Sequence, residues 1–100
     1  MKNVKSTVGE FAGKLGKLLR VYVPGQCYYT GYLIKQNDIK LGKIDGGYGV
    51  KGVCIRTAVP SKTPEDVSGY IRLLESNKTK IYPNLYIPLS ELDCRWKFLT

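Results

Sequence analysis

The chain has 100 residues, of which 43% are apolar, and it carries a net charge of +8 with an isoelectric point near 9.5. This length predicts a single domain over residues 1–100, and a mean hydropathy of −0.20 with this apolar content excludes a disordered chain. No apolar run approaches the roughly 20 residues of a membrane span or the pattern of a signal peptide, so we expect a cytoplasmic protein without membrane contact.

The first predicted element is a short N-terminal helix. Apolar residues recur at helical spacing from Val4 to Leu15. Gly9, Gly13 and Gly16 interrupt this stretch, and each weakens a helix by about 1 kcal/mol relative to alanine. The pattern therefore predicts a marginal helix that docks on the rest of the domain.

Four β-rich runs follow, separated by turn residues. Pro24-Gly25 fits the centre of a type II turn, Gln36-Asn37-Asp38 turns the chain again, and Asp45-Gly46-Gly47 is a hairpin signal. The predicted strands are Leu18–Val23, Cys27–Lys35, Ile39–Ile44 and Tyr48–Ala58. Short strands joined by tight turns predict an antiparallel meander.

A second helix is predicted near residues 64–76. Thr63 is a favourable N-cap, and Pro64 fits the first helical position. An apolar stripe from Val67 to Leu74 follows at helical spacing, and Asn77 can end the helix.

Two extended segments, Lys80–Ile87 and Arg95–Leu99, complete the predicted fold. A twisted meander, one inserted helix and a last short strand resemble the SH3-like class of small β-barrels in element order, over roughly residues 18–99. We therefore predict a mostly-β, α+β fold: an antiparallel SH3-like barrel or meander over about 18–58 and 80–99, with the marginal N-terminal helix and the inserted helix. Barrels of this class bind nucleic acids, peptides or small ligands, so the resemblance implies an architecture more than a function.

The residues that most enzymes use are scarce. Histidine is absent, which removes the commonest general base and metal ligand. Cys27, Cys54 and Cys94 form no Cys-x-x-Cys pair, which indicates a reducing compartment, and we interpret two of the three as core residues. The acids do not have the spacing of a metal-binding loop. We predict that the protein is not an enzyme and needs no cofactor or metal.

The run Gly47-Tyr48-Gly49-Val50-Lys51-Gly52 matches the G-x-G-x-x-G pattern of dinucleotide sites. In such sites the run follows a strand and opens a helix, whereas here it follows a hairpin signal and enters a β-rich segment. We interpret these glycines as residues that allow twist or a β-bulge.

The positive charge is concentrated in the first half of the chain. Residues 1–56 have ten Lys or Arg and three acids, whereas residues 57–100 have six and five. A one-sided basic field favours an anionic partner. A surface that is basic only for solubility is the alternative interpretation.

Tyrosines are concentrated in the second predicted strand. Strand alternation places Tyr28 and Tyr32 on one face and Tyr29 and Leu33 on the other. We predict that the second pair is core and that the first pair forms an exposed platform, although tyrosines also fill half-buried strand positions without binding anything. Exposed rings stack on unpaired bases while cations contact phosphates. The predicted binding residues are Arg20, Tyr28, Tyr32, Lys35, Lys43, Lys51 and Arg56.

The sequence thus predicts a non-enzymatic binding protein with an anionic partner, and nucleic acid is the leading candidate. One alternative is an accessory or inhibitory protein of the kind that viruses and mobile elements encode, which docks on an acidic host protein through tyrosine and arginine anchors. Another is an oligomer, joined through strand edges, that binds a small anionic ligand such as a nucleotide.

Overall fold

A computed structural model describes residues 4–34, 39–44, 47–89 and 94–100. Helix α1 spans Val4–Phe11 and helix α2 spans Val67–Glu75. The strands are β1 Leu18–Tyr22, β2 Tyr28–Leu33, β3 Ile39–Ile44, β4 Gly47–Ser61, β5 Tyr82–Pro88 and β6 Arg95–Phe98. This antiparallel, mostly-β arrangement with two short helices confirms the predicted fold class. Lys35, the turn predicted at 36–38 and the pair Asp45-Gly46 lie outside the described residues.

The long strand β4 is the centre of the sheet. It pairs with β2, β3 and β5, while β1 pairs with β2 and β6, and all these pairings are antiparallel. In the part of the chain that the structure describes, the order β3-β4-β2-β1-β6 with β5 beside β4 leaves the sheet as an open half-barrel.

The predicted meander is wrong at one point, because β2 pairs with β4 and not with β3. Leu33 opposes Ile55 and Ile39 opposes Val53, so β2 and β3 lie end to end along the same edge of β4. The physical reason is length. Strand β4 has 15 residues, more than the six of β2 and the six of β3 together, so one edge of it can pair with both.

The two faces of the sheet have different coverings. We call the face that carries Leu19, Val21 and Ile55 the inner face, and it holds the main hydrophobic core. Phe11 of α1 packs on this face and is only 1% exposed. Its ring centroid lies 5.4 Å from that of Phe98. These contacts confirm the docked N-terminal helix.

The outer face carries a smaller core beneath α2. Leu18 and Val59 are buried there under Tyr70. Tyr70 and Gly69 are the two buried residues of α2. Ile71, although part of the same predicted helix, is 45% exposed. Helix α2 therefore covers only the middle of the outer face.

The start of α2 differs from the prediction. The N-cap is Asp66, whose carboxylate accepts a hydrogen bond of 2.8 Å from the amide of Gly69. Thr63 instead donates its hydroxyl to the Glu65 carboxylate. Asp66 takes the capping role because it has extended backbone and stands three residues before a free amide. The helix stops at Glu75, just before Asn77, which has a φ of 58°.

The turn between β1 and β2 has the predicted geometry. The Gln26 amide donates to the Val23 carbonyl at 3.0 Å, and Gly25 between them has a φ of 78°. A type II turn requires this positive φ at its third residue. The turn fixes the register in which Tyr22 opposes Tyr28.

Strand β4 contains two irregularities. Lys40 opposes Gly52 and Leu41 opposes Val50, so Lys51 between them is an extra residue in β4. This register shift confirms the interpretation of the glycine run as a bulged strand. Its register with β2 shifts between Thr30 and Tyr32.

The cysteine interpretation was correct for one residue. Cys94 is buried at 7% exposure, whereas Cys27 and Cys54 are half-buried, and all three are free thiols. The prediction of two core cysteines is therefore wrong. Cys54 lies on the outer face opposite Tyr86, where no second layer covers the sheet completely.

Candidate functional site

Four of the six described strands carry cations, and none of the six carries an acidic side chain. The strand cations are Arg20, Lys40, Lys43, Lys51, Arg56, Arg95 and Lys97. The described acids are elsewhere: Glu10 in α1, Glu65 and Asp66 before α2, and Glu75 within α2. Within the described strands the side-chain charge is therefore only positive, and such a surface attracts anions.

Four side chains form a continuous row of contacts at one end of the outer face, in which the two central rings are tilted by 45° to each other. The rings of Tyr22 and Tyr28 have centroids 4.8 Å apart. The Arg95 guanidinium lies over Tyr22 at 5.4 Å from the ring centroid, and the Arg20 guanidinium lies over Tyr28 at 5.9 Å. We call Arg95, Tyr22, Tyr28 and Arg20 the arginine–tyrosine ladder.

The ladder holds its cations in defined positions. Arg20 donates a hydrogen bond of 2.8 Å from Nη1 to the carbonyl of Glu65. Lys97 opposes Arg20 on the neighbouring strand β6, and both Lys97 and Arg95 are exposed. Aromatic rings that support guanidinium groups reduce the entropy those groups lose when they bind a phosphate. The ladder with Lys97 is thus suited to phosphate binding.

The ladder corrects the predicted role of Tyr28. This ring was predicted to be an exposed platform, but it is half-buried, with Tyr22 and Arg20 packed against it. It therefore supports a cation instead of offering an open face to a base. Tyr22 and Arg95, which complete the row, were not among the predicted binding residues.

A second group lies along the outer face of β4. Tyr32 of β2 opposes Arg56, and Tyr86 of β5 opposes Cys54, so these side chains share one face on three adjacent strands. Tyr32 is 37% exposed and Tyr86 is 43% exposed, and Arg56 is exposed as well. We call Tyr32, Arg56 and Tyr86 the tyrosine strip.

Glycines form the surface beside the tyrosine strip. A Cβ on Gly52 would collide with the hydroxyl of Tyr86, so this ring lies along the sheet and across β4. A Cβ on Gly42 would come within 2.8 Å of Cδ of Lys51, so the stem of Lys51 also lies along the sheet. Lys40 opposes Gly52 and stands on the same face. The outer face therefore continues from the tyrosine strip toward β3 as a surface of glycines that also carries Lys40 and Lys51.

Tyr32 is positioned by α2. Its ring packs edge-on against Tyr70, with centroids 5.8 Å apart and an interplanar angle of 79°. The Tyr70 hydroxyl donates a hydrogen bond of 2.8 Å to the Thr57 carbonyl. Burial, with a smaller contribution from Tyr32, raises the pKa of Tyr70 to about 12. Tyr70 is thus a neutral, fixed support for the exposed ring of Tyr32.

The structure separates the predicted binding residues. Arg20 and Tyr28 belong to the ladder, whereas Tyr32, Arg56 and Lys51 belong to the tyrosine strip or its border. Lys43 belongs to neither group. It opposes Tyr48 and lies on the inner face, together with Leu41 and the buried Val50, so its position does not support the predicted binding role. Lys35 lies outside the described residues.

The two groups stand on either side of buried Thr30. This residue lies between Tyr28 and Tyr32 in β2, opposes Arg20 and Val59, and is only 2% exposed. Tyr28 and Tyr32 are four positions apart in β2, which separates their Cα atoms by about 13 Å. A partner that touches both groups must therefore be extended, or must reach around α2.

Other kinds of site have less support. A cleft of about 270 Å³ opens between the β1–β2 turn and β5, but it is lined by apolar and neutral residues such as Val23, Tyr29 and Leu85. Among the described residues, no three His, Cys, Asp or Glu side chains are grouped as metal ligands would be. None of the described helices has the length and apolarity needed to cross a membrane.

The chain matches no protein-family model, no curated protein and no solved structure. The candidate function therefore depends on the geometry and charge of the sheet.

Proposed function

We propose that this protein is a non-enzymatic nucleic-acid-binding protein that uses the outer face of its sheet. The observation that carries the proposal is that the six strands of the described residues contain seven cations and no acid. Nucleic acids are polyanions, and contacts between Lys or Arg and phosphates supply most of their sequence-independent affinity.

The two groups on the outer face would make different contacts. Arg20 and Arg95 of the ladder, with Lys97 beside them, would contact phosphates. The tyrosine rings already position both guanidinium groups, and the Glu65 carbonyl also holds that of Arg20. In the tyrosine strip, exposed rings beside Arg56 would contact bases. This combination gives affinity with little sequence readout.

The alternative partner is an acidic protein, such as the host target of a viral or mobile-element accessory protein. One observation favours it: Leu41 and Tyr48 are 63% and 71% exposed near Lys43, at the end of the β3–β4 hairpin. Exposed apolar and aromatic groups beside a cation are common in protein interfaces. Oligomers formed through the β3 edge are less favoured, because Lys40 and Lys43 on that strand would repel a second copy.

The experiment that tests the proposal is fluorescence anisotropy with a labelled single strand and a labelled duplex, at low and near-physiological salt. The double variant Lys51→Gln/Arg56→Gln is compared with Lys62→Gln/Lys78→Gln, which removes the same charge from exposed positions outside the strands. Each lost phosphate contact lowers the salt slope of the logarithm of affinity by about 0.7 for a single strand.

We expect the first double variant to bind more weakly with a smaller slope, and the second to bind nearly as well as the wild type. Equal losses in both would mean that only net charge matters. Binding confined to low salt, and equal for both nucleic acids, would contradict the proposal and favour the acidic protein partner.

A further inference from the structure

We infer that the tyrosine strip is a base-stacking site specific for single-stranded nucleic acid. The inference rests on the proposed function and adds to it the kind of strand and the residues that select it. Tyr86 is central to it, and no sequence pattern singled out this residue.

Tyr32 and Tyr86 lie on the strands to either side of Arg56. They belong to β2 and β5, which pair with β4 from opposite sides at this point, and Arg56 lies on the same face. Adjacent strands lie about 4.8 Å apart and alternate residues about 6.8 Å apart, which places the two Cα atoms roughly 12 Å from each other. The Tyr86 ring extends from its Cα toward Gly52, away from Arg56, so the two rings are farther apart than the Cα atoms. Rings separated in this way can each stack on a base of one extended strand, with Arg56 close to the phosphates beside Tyr32.

Each ring is held in a defined orientation. Tyr32 makes a T-shaped contact with the buried Tyr70, which holds the ring while 37% of the residue remains exposed. Tyr86 lies over Gly52, which has no Cβ to lift it, and 43% of the residue remains exposed. Because both rings are placed before binding, stacking on them costs little conformational entropy.

Cations continue beyond the strip in one direction. Lys40 opposes Gly52, and Lys51 lies over Gly42, so both extend the positive surface toward the β3–β4 hairpin. A strand that stacks on Tyr32 and Tyr86 would pass these lysines with its next phosphates. No described strand residue on this path is acidic.

The geometry favours a single strand over a duplex. In a duplex the bases are stacked on each other, and their planes cannot reach aromatic side chains that lie on a sheet surface. Unpaired bases can, and stacking on aromatic side chains contributes about 1–3 kcal/mol per base. Selection therefore comes from the rings, whereas the cations attract both forms.

The experiment measures anisotropy of labelled oligomers of about 12 nucleotides, within the site sizes of small single-strand-binding domains, and of the matching duplex. The test variants are Tyr32→Leu and Tyr86→Leu, which keep an apolar side chain but remove the ring. Tyr32→Phe and Tyr86→Phe keep the ring, and Tyr48→Leu removes an exposed ring from the other face. Circular dichroism melting checks that each variant folds.

We expect each Leu variant to lose about tenfold in single-strand affinity, with duplex binding unchanged. The Phe variants and Tyr48→Leu should bind like the wild type. If Tyr32→Leu loses its fold because the contact with Tyr70 is lost, Tyr86→Leu on β5 carries the test alone.

Two results would overturn the inference while the proposed function stands: Leu variants that bind single strands like the wild type, or a wild-type protein that prefers the duplex. A wild-type protein that binds neither form near physiological salt would overturn both.

Discussion

The hydroxyl of Tyr70 donates a hydrogen bond of 2.8 Å to the carbonyl of Thr57, the residue at which β4 adopts a φ of 55°. Tyr70 is fully buried, so this bond joins α2 to the bulge that places Arg56 opposite Tyr32. This contact therefore links the packing of α2 to the irregular part of β4 on the outer face.

Removing the hydroxyl tests the importance of this bond. We expect Tyr70→Phe to lower the free energy of unfolding by about 1–2 kcal/mol, because the bond is lost and a partly buried carbonyl loses its donor. Urea denaturation measures the change. Tyr48→Phe, at a residue that is 71% exposed, is the matched control and should leave stability unchanged. Equal stability of both variants would show that the contact does not hold the bulge.

The positive φ of Thr57 leads to a second prediction. Left-handed backbone costs a non-glycine residue about 1–2 kcal/mol, and a β-branched side chain is especially unsuited to it. We expect Thr57→Gly to raise the free energy of unfolding by up to about 1 kcal/mol, after the greater entropy of glycine in the unfolded chain is subtracted. Thr57→Val, which keeps the branched shape, should give no gain. A clear loss of stability in the glycine variant would contradict the backbone conformation described for Thr57.

Thr30 gives a third prediction. Its hydroxyl is buried and has no hydrogen-bond partner among the described residues, so Thr30→Val replaces it with a methyl group of similar size. Removing a buried unsatisfied polar group should raise stability by about 1–2 kcal/mol. Thermal denaturation of Thr63→Val, whose exposed hydroxyl does donate a bond, provides the comparison and should show no gain. A less stable Thr30→Val would show that the hydroxyl has a partner.

Alkaline pH should destabilise the fold through the buried Tyr70 and the half-buried Tyr29. Burial raises the pKa of Tyr70 and of Tyr29 to about 12, whereas an unfolded tyrosine titrates near 10. Between these values the folded protein keeps protons that the unfolded chain releases. The free energy of unfolding should therefore be insensitive to these groups below about pH 10 and should fall as the pH rises toward 12. Denaturation series across this range measure the slope, and Tyr70→Phe should make it shallower. An unchanged slope in that variant would contradict the raised pKa.

Local patterns in the sequence predicted the elements and the faces of single strands. Alternation in β2 correctly placed Leu33 in the core and Tyr32 on the outer face, because adjacent residues of a strand point to opposite sides. The Pro24-Gly25 turn was also predictable. This turn brings Tyr22 opposite Tyr28. The register that follows from the turn therefore predicts that the two rings contact each other and that Tyr28 is partly covered.

Strand neighbours could not be predicted in the same way. The pairing of β2 with β4 depends on the full length of β4, which turn residues alone do not define. Tyr86 and Arg95 join the outer face only because β5 pairs with β4 and β6 pairs with β1. The concentration of positive charge in residues 1–56 also does not predict that Arg95 and Lys97 contribute to the basic face. The alternation Arg-Trp-Lys-Phe in β6 does indicate a strand with one basic face.

The most direct test of the central claim is a titration of ¹⁵N-labelled protein with a short single-stranded oligonucleotide, followed by amide chemical shifts. The outer-face account predicts that the largest changes fall on the strands around Tyr32, Arg56 and Tyr86, with further changes near Arg20 and Arg95. Shifts confined to α1 and the inner face, or no shifts near physiological salt, would contradict it.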